Sequence, residues 1–164
     1  KEVMAKWSIP MFKLSSRSLG KLEGVNPVLV DTVKRAIELT KVDFGVIYGV
    51  RSLETQKKLY ESGRSQTMKS KHLIQPDGTA HAVDLMAYDG SEPSWEIVMY
   101  DDIADAMKAA AKETGAQIRW GAAWNIDSIT DWDRPMQDAM NNYIDVRRNQ
   151  GRTPFIDGPH FELN

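Results

Sequence analysis

The sequence predicts an α+β domain, a small antiparallel sheet flanked by helices. Segments of helical period are interspersed with short, β-rich runs of the antiparallel type. No internal repeat, low-complexity tract or Pro/Gly/Ser-rich linker divides the chain. At 164 residues it can bury one substantial core and is too short for two domains of usual size, so a single domain is expected over 1–164. Hydrophobic residues at 41% and charged residues at 27% are ordinary globular proportions.

The elements follow in chain order. "NPVLVDTVKRAIELT" (26–40) has an Asn cap, Pro at the first helical position and Leu29, Val33, Ala36 and Ile37 at helical spacing, which predicts a helix. "DFGVIYGV" (43–50) is a short strand leading to Ser52, the cap of a second helix that ends at Gly63, and Arg51 lies at that strand-to-helix junction. A third helix is expected over 101–114, with Asp101 and Asp102 near its positive end and Gly115 just past its C-terminus. A fourth runs from Pro135 to about Arg148 with Met136, Met140, Tyr143 and Ile144 on one face. Short strands fit 80–88, 117–120 and 160–164.

Composition excludes several classes of function. Lys and Arg (21) nearly balance Asp and Glu (23), a net charge of -2, so no broad basic surface for nucleic acid is expected. With no cysteine, disulfides, zinc ribbons and thiol catalysis are out, and any metal must be held by His and carboxylate. No apolar run approaches the length of a membrane span, and "KEVMAKWSIPMF" contains no apolar segment of signal-peptide length, so neither membrane insertion nor export by the usual route is expected. Lys1 in place of an initiator Met suggests a trimmed start.

The three histidines and their neighbouring carboxylates are the chemistry-bearing groups. On a strand over 80–88, Asp84 points with Ala82 and Met86, whereas His81 points with Val83 and Leu85, so His81 and Asp84 cannot share one ion. On a strand over 160–164, Phe161 and Leu163 face the core and leave His160 and Glu162 facing a cleft. Asp157 approaches His160 from an extended turn through Gly158 and Pro159. His72, Asp84 and His160 with an open fourth position would make a catalytic zinc site, Asp157 serving as general base to a water whose pKa the metal lowers to about 7. Read from composition alone, a histidine is more often a hydrogen-bonded residue than a ligand, and that alternative stays open here. Asp77 and Asp89 read as turn residues beside Gly78 and Gly90. Asp127, Asp131 and Asp133 do not match a calcium loop. Trp120, Trp124 and Trp132 could line a groove or fill the core.

Ser70, His72, Ala82 and Asp84, then much later Asp157, His160, Phe161 and Glu162, resemble the two-part signature of the zinc L-alanyl-D-glutamate peptidases that bacteriophages use as endolysins. Those enzymes belong with VanY-type D,D-carboxypeptidases and D-alanyl-D-alanine dipeptidases, in a fold shared with hedgehog signalling domains. The similarity extends to "LSSRSLGKLEGVNPVLVDTVKRAIELT", "DFGVIYGVRSLETQKKLYESGRSQTMKSKH" and "IRWGAAW" in family order. It implies one catalytic zinc on His72, Asp84 and His160, Asp157 as the base, and Arg51 as the group that supports the oxyanion. Ser70 and Gln56 would orient a ligand or substrate, and His81 would be a neighbour of the site.

The resemblance implies a monomeric peptidoglycan endopeptidase that cuts the L-Ala/D-Glu bond of the stem peptide. It would act in phage lysis, staying in the host cytoplasm until a holin or similar breach releases it to the wall. A D,D- or L,D-carboxypeptidase and a non-enzymatic zinc-bearing binding module are the alternatives. The sequence departs from the pattern in the long spacer between His72 and Asp84, in Ala80 where Gly is common, in Ala123 where many relatives carry Asp, and in a long segment from Trp124 to Phe155. These departures leave the ligands intact and bear on substrate preference.

Overall fold

The computed structural model describes residues 11–164, so most of the N-terminal segment weighed as an export signal, residues 1–10, lies outside the described residues. The first element is a short helix that the sequence did not announce, α1 (Ser16–Lys21), capped by the Ser15 hydroxyl, which accepts from the Ser18 amide. Helix α2 (Pro27–Leu39) starts as predicted: the Asn26 side chain accepts from the Val28 amide and Pro27 occupies the first turn. It buries Leu29, Val33, Ala36 and Ile37. Each large aliphatic side chain removed from water there contributes roughly 1.5–3 kcal/mol.

Strand β1 (Asp43–Tyr48) leads through Arg51 to α3 (Leu53–Glu61), capped by Ser52. After a long loop come β2 (Ala82–Asp89), β3 (Glu92–Ser94), α4 (Ile97–Thr114) and β4 (Ile118–Trp120). A 3₁₀ turn (Ile129–Asp131), α5 (Met136–Asn149) and β5 (His160–Leu163) complete the fold. Strand β3 was not expected, because Pro93 and Glu92 give its three residues no alternation. Helix α4 begins four residues before the predicted Asp101. Its cap position, Glu96, makes no side-chain capping bond, so no start signal stood in the sequence. Asp101 is therefore buried within the helix rather than placed at its end.

All the strand pairings are antiparallel, in the order β1-β2-β5-β4, with β3 pairing the far end of β2. Because Asp84 pairs with Tyr48 on one side and His160 on the other, β5 and β3 share the edge of β2 opposite β1. Val83, Phe161 and Trp120 line up across three strands on one face, with the Trp120 and Phe161 rings stacked at 6.4 Å. That face meets the core built with α2 and α4, and α5 packs on α4 through Met136, Ala139, Met140 and Tyr143. Thr32 and Thr114 share a 2.7 Å hydrogen bond between α2 and α4. The other face of the sheet carries Asp84 and His160. Among the described residues no helix is long and apolar enough to cross a membrane.

Candidate metal centre

Three segments deliver the polar cluster. Asp84 comes from β2, His160 stands directly opposite it at the start of β5, and His72 arrives from the loop between α3 and β2. That loop is fixed to the end of β1: the Arg51 amide donates to the His72 carbonyl at 2.8 Å, and the His72 amide donates to the Ser70 hydroxyl at 3.1 Å. A bulge between Val46 and Tyr48 re-aims β1 so that Tyr48 ends opposite Asp84.

The tautomers follow from the partners. His72 Nδ1 lies 2.8 Å from the Gly49 carbonyl oxygen, which can only accept, so Nδ1 carries the proton and Nε2 keeps its lone pair. That Nε2 is buried without a hydrogen-bond partner, 3.3 Å from Asp84 Oδ2. His160 mirrors the arrangement: its Nε2 donates to Glu162 Oε1 at 2.8 Å, and its Nδ1 faces Asp84 Oδ1 at 3.0 Å. The lone pair of His72 Nε2 and the Nδ1 of His160 thus converge on one carboxylate, a set that a proton on His160 or a cation in its place satisfies.

Ligand atoms from all three residues lie within 4.8 Å of one another. A tetrahedral ion with bonds of about 2.0–2.1 Å needs ligand atoms roughly 3.3 Å apart, close to the two separations seen. Burial works against charge on Asp84, yet the imidazoles of His160 and His72 beside it hold its carboxyl well below the usual range. Burial also opposes a charged His160, and the carboxylates of Asp84 and Glu162 outweigh it, raising that ring to about 9. The site calls for positive charge. The donor set, two imidazoles and a carboxylate oriented by outer hydrogen bonds, fits a small divalent metal.

Asp157 and Arg51 flank the cluster. The Asp157 amide donates to the Gly121 carbonyl at 2.8 Å, and its own carbonyl accepts from the His160 amide at 3.1 Å. Gly121 is required there, since a Cβ would lie 2.2 Å from the Asp157 carbonyl oxygen. Burial, and then the negative charge of Asp84, raise the Asp157 carboxyl, with His160, His72 and Arg51 partly offsetting them. Arg51 Nη1 donates to Gln56 Oε1 at 2.9 Å. Gln56 is 0% exposed and donates to the Ser65 hydroxyl at 2.9 Å and the Thr67 carbonyl at 2.6 Å. It therefore does not touch a substrate, as the sequence allowed; it fixes the Arg51 guanidinium. Ser70 acts at the same remove, through the His72 backbone.

The remaining residues sort themselves. His81 stands outside the cluster and pairs with Asp77 at 2.8 Å, while Asp77 also accepts from the amide and hydroxyl of Thr79. The extra residues after His72 form a compact turn, the Gln75 amide donating to the Thr79 carbonyl, tied to the cap of α2 where the Asn26 amide donates to the Ala80 carbonyl. Asp127 pairs with Arg119, and Asp131 and Asp133 are exposed, with no metal grouping of these three among the described residues. Trp120 is core. Trp124 instead stacks on Phe155 at 6.3 Å and packs against the His160 ring at 5.5 Å. The sequence reading gave Glu162 no role. Its signal was there in the alternation that sets His160 and Glu162 on one face. Gly49 and Gly121 had none, because their importance lies in close tertiary approach.

The family described as phage L-alanyl-D-glutamate peptidase matches residues 10–164. The chain is 30% identical over 118 residues to the L-alanyl-D-glutamate peptidase of Escherichia phage T5, covering 70% of this chain and 82% of that protein. Among solved structures, the L-Ala D-Glu endopeptidase ChiX of Serratia marcescens is similar with a TM-score of 0.68 and 31% identity, covering 93% of this chain and 90% of that one.

Proposed function

The chain belongs to the phage L-alanyl-D-glutamate peptidase family, and on that footing we propose that it is a single-domain zinc endopeptidase that cuts the L-alanyl-D-glutamate bond of the peptidoglycan stem peptide. The observation that carries the reading is the convergence of His72 Nε2, an Asp84 oxygen and His160 Nδ1, with Asp157 and Arg51 beside them. His72, Asp84 and His160 would hold the ion. Bound there, zinc supplies Lewis-acid polarisation of the scissile carbonyl and a lowered pKa for the attacking water.

The other steps belong to the chain's own groups. Asp157 takes the proton of the attacking water and returns it to the leaving amine, the nitrogen of D-glutamate. Its raised carboxyl pKa suits a group that must both accept and give back a proton. Arg51, held by Gln56, offers a guanidinium to the negative charge that develops on the carbonyl oxygen. Glu162 and the Gly49 carbonyl keep the two imidazoles in the tautomers that leave a lone pair for the ion. The enzyme acts as a monomer in phage lysis, and a holin-type breach releases it from the host cytoplasm to the wall.

The test is digestion of purified peptidoglycan with and without a zinc chelator, reading fragments by mass spectrometry after N-terminal labelling. New glutamate N-termini that vanish on chelation are expected. Free terminal D-amino acid would move the activity to a carboxypeptidase, and zinc binding without any product would make the chain a binding module. An Asp157→Ala variant should retain its metal and lose turnover; near-normal hydrolysis by it removes Asp157 as base.

A further inference from the structure

We propose that the groove rimmed by Lys13, Arg17 and Lys21 is the subsite that receives the carboxylates of the substrate on the D-glutamate side of the scissile bond; the inference rests on the endopeptidase reading above. Side chains alternate along β2, so Met86 and Tyr88 project from the same face as Asp84. Both line a groove of about 620 Å³ beside α1, whose rim carries the three cations. Among the described residues none of these cations has a carboxylate partner, and Asp43 is the only acidic residue lining the groove. The groove is thus locally positive in a chain whose net charge is -2.

A second cavity, of about 320 Å³, is lined by Asp157 and Ile156. Trp95 lines both cavities. It is 65% exposed, yet its ring is stacked on Tyr100 at 6.4 Å with 13° between the planes. Tyr100 is itself fixed, donating from its hydroxyl to the Ser94 carbonyl at 2.7 Å and accepting from the Ala87 amide at 3.1 Å. Trp95 is therefore a firm wall common to the two cavities, one holding Asp157 and the other the cationic rim.

The position of Asp157 assigns the occupant. Asp157 returns its proton to the leaving amine, so the fragment lying beyond Asp157 is headed by D-glutamate. A glutamate that uses one carboxyl to continue the peptide keeps the other free, and the chain ends in a further carboxylate. That fragment is anionic, and across Trp95 from the Asp157 cavity stand three cations with no carboxylate partner among the described residues. An exposed charge pair contributes modestly, a few-fold each at moderate salt, so two reversed charges together should change selectivity by about tenfold.

The experiment uses the full chain, loaded with zinc, and two stem peptides containing the L-Ala/D-Glu bond: one with free carboxylates downstream, the other with those carboxylates as amides. Wild type should favour the carboxylate peptide in kcat/KM, and the preference should shrink with added salt. In the Arg17→Glu/Lys21→Glu variant the ratio of the two kcat/KM values should fall about tenfold. Trp95→Ala should raise KM for both peptides with kcat little changed. Wild type active on both peptides without preference overturns the subsite and leaves the endopeptidase reading standing, as does an equal loss on both peptides in the double variant. Wild type inert on both overturns the endopeptidase reading and the subsite with it.

Discussion

Gly121→Ala tests how the fold builds the centre. Gly121 is bonded on both sides to the turn that carries Asp157 and His160: its amide donates to the His160 carbonyl at 2.8 Å, and its carbonyl accepts from the Asp157 amide at 2.8 Å. An added Cβ would stand 2.2 Å from the Asp157 carbonyl oxygen and 3.1 Å from His160 Cβ, where ordinary contact begins at 3.4 Å. The backbone must therefore open by about 1 Å, and a misplacement of that size costs about a hundredfold in rate. Losing one or both bonds also costs about 0.5–1.5 kcal/mol each. Expected together are a kcat on a stem-peptide substrate lowered about a hundredfold, weaker zinc retention on dialysis and a lower melting temperature. Gly20→Ala is the control: a methyl there meets nothing within 4 Å and lies in helix α1, so it should be neutral or slightly stabilising. Gly121→Ala with wild-type kcat and zinc content would refute the idea that this backbone contact sets the positions of base and ligand.

Glu162→Gln keeps an acceptor for His160 Nε2 but removes the charge, and should weaken zinc about 10–100-fold in a competition titration against a chromophoric chelator. Arg51→Ala should lower kcat about 10²–10³-fold, and Gln56→Leu, which leaves the guanidinium without its 2.9 Å partner, should lower kcat less while leaving KM nearly unchanged, both read from steady-state kinetics. Burial, with Asp102 and Asp105 adding to it, raises the Asp101 carboxyl to about 6, and its Oδ2 has no partner. The folded state then binds the proton more tightly than the unfolded one, so this stabilisation is full below about pH 4 and is lost as the pH rises through about 6. The difference from an ordinary carboxyl converts to at most about 3 kcal/mol, which screening by water reduces to about 1. Asp101→Asn should therefore raise the melting temperature at pH 7 to 8 and give no gain at pH 4.

Much of the scaffold was legible in the sequence because local chemistry dictates it. Asn26 and Pro27, followed by Leu29, Val33, Ala36 and Ile37 at helical spacing, marked both the start of α2 and its buried face. Period-two alternation separated His160 and Glu162 from Phe161, and Asp84 from Val83 and Leu85, before any register was known. The register itself, Asp84 opposite His160, is a tertiary fact that no local pattern contains. Helix α1 escaped notice because it is six residues long and buries only Ser18, whose hydroxyl accepts from the Val46 amide on the open edge of β1. Its task is to cover a strand edge, and edge covering leaves no periodic trace. The role of Gln56 was hidden for a similar reason, since a polar residue that is fully buried and fully bonded looks on paper like one that faces water.

The positions of the two glycines explain why a domain of this size can hold its donors still. Gly49 presses against the end of α1, where a Cβ would lie 2.1 Å from the Lys21 carbonyl oxygen, and its own carbonyl orients His72. Gly121 presses against the Asp157–His160 turn from the end of β4. Each ligand loop is thus clamped by backbone from a different element, with no side chain in between to flex. Asp84 needs no such clamp because it lies within a strand paired on both sides. A tetrahedral ion tolerates little error in the spacing of its ligands. A loop histidine and one at the very start of a strand meet that tolerance only if their outer hydrogen bonds end on rigid groups, and a backbone carbonyl and a strand-borne carboxylate are such groups. The long spacer after His72 has its own anchor: its turn is tied to the cap of α2, whereas His72 is tied to Gly49 and Arg51.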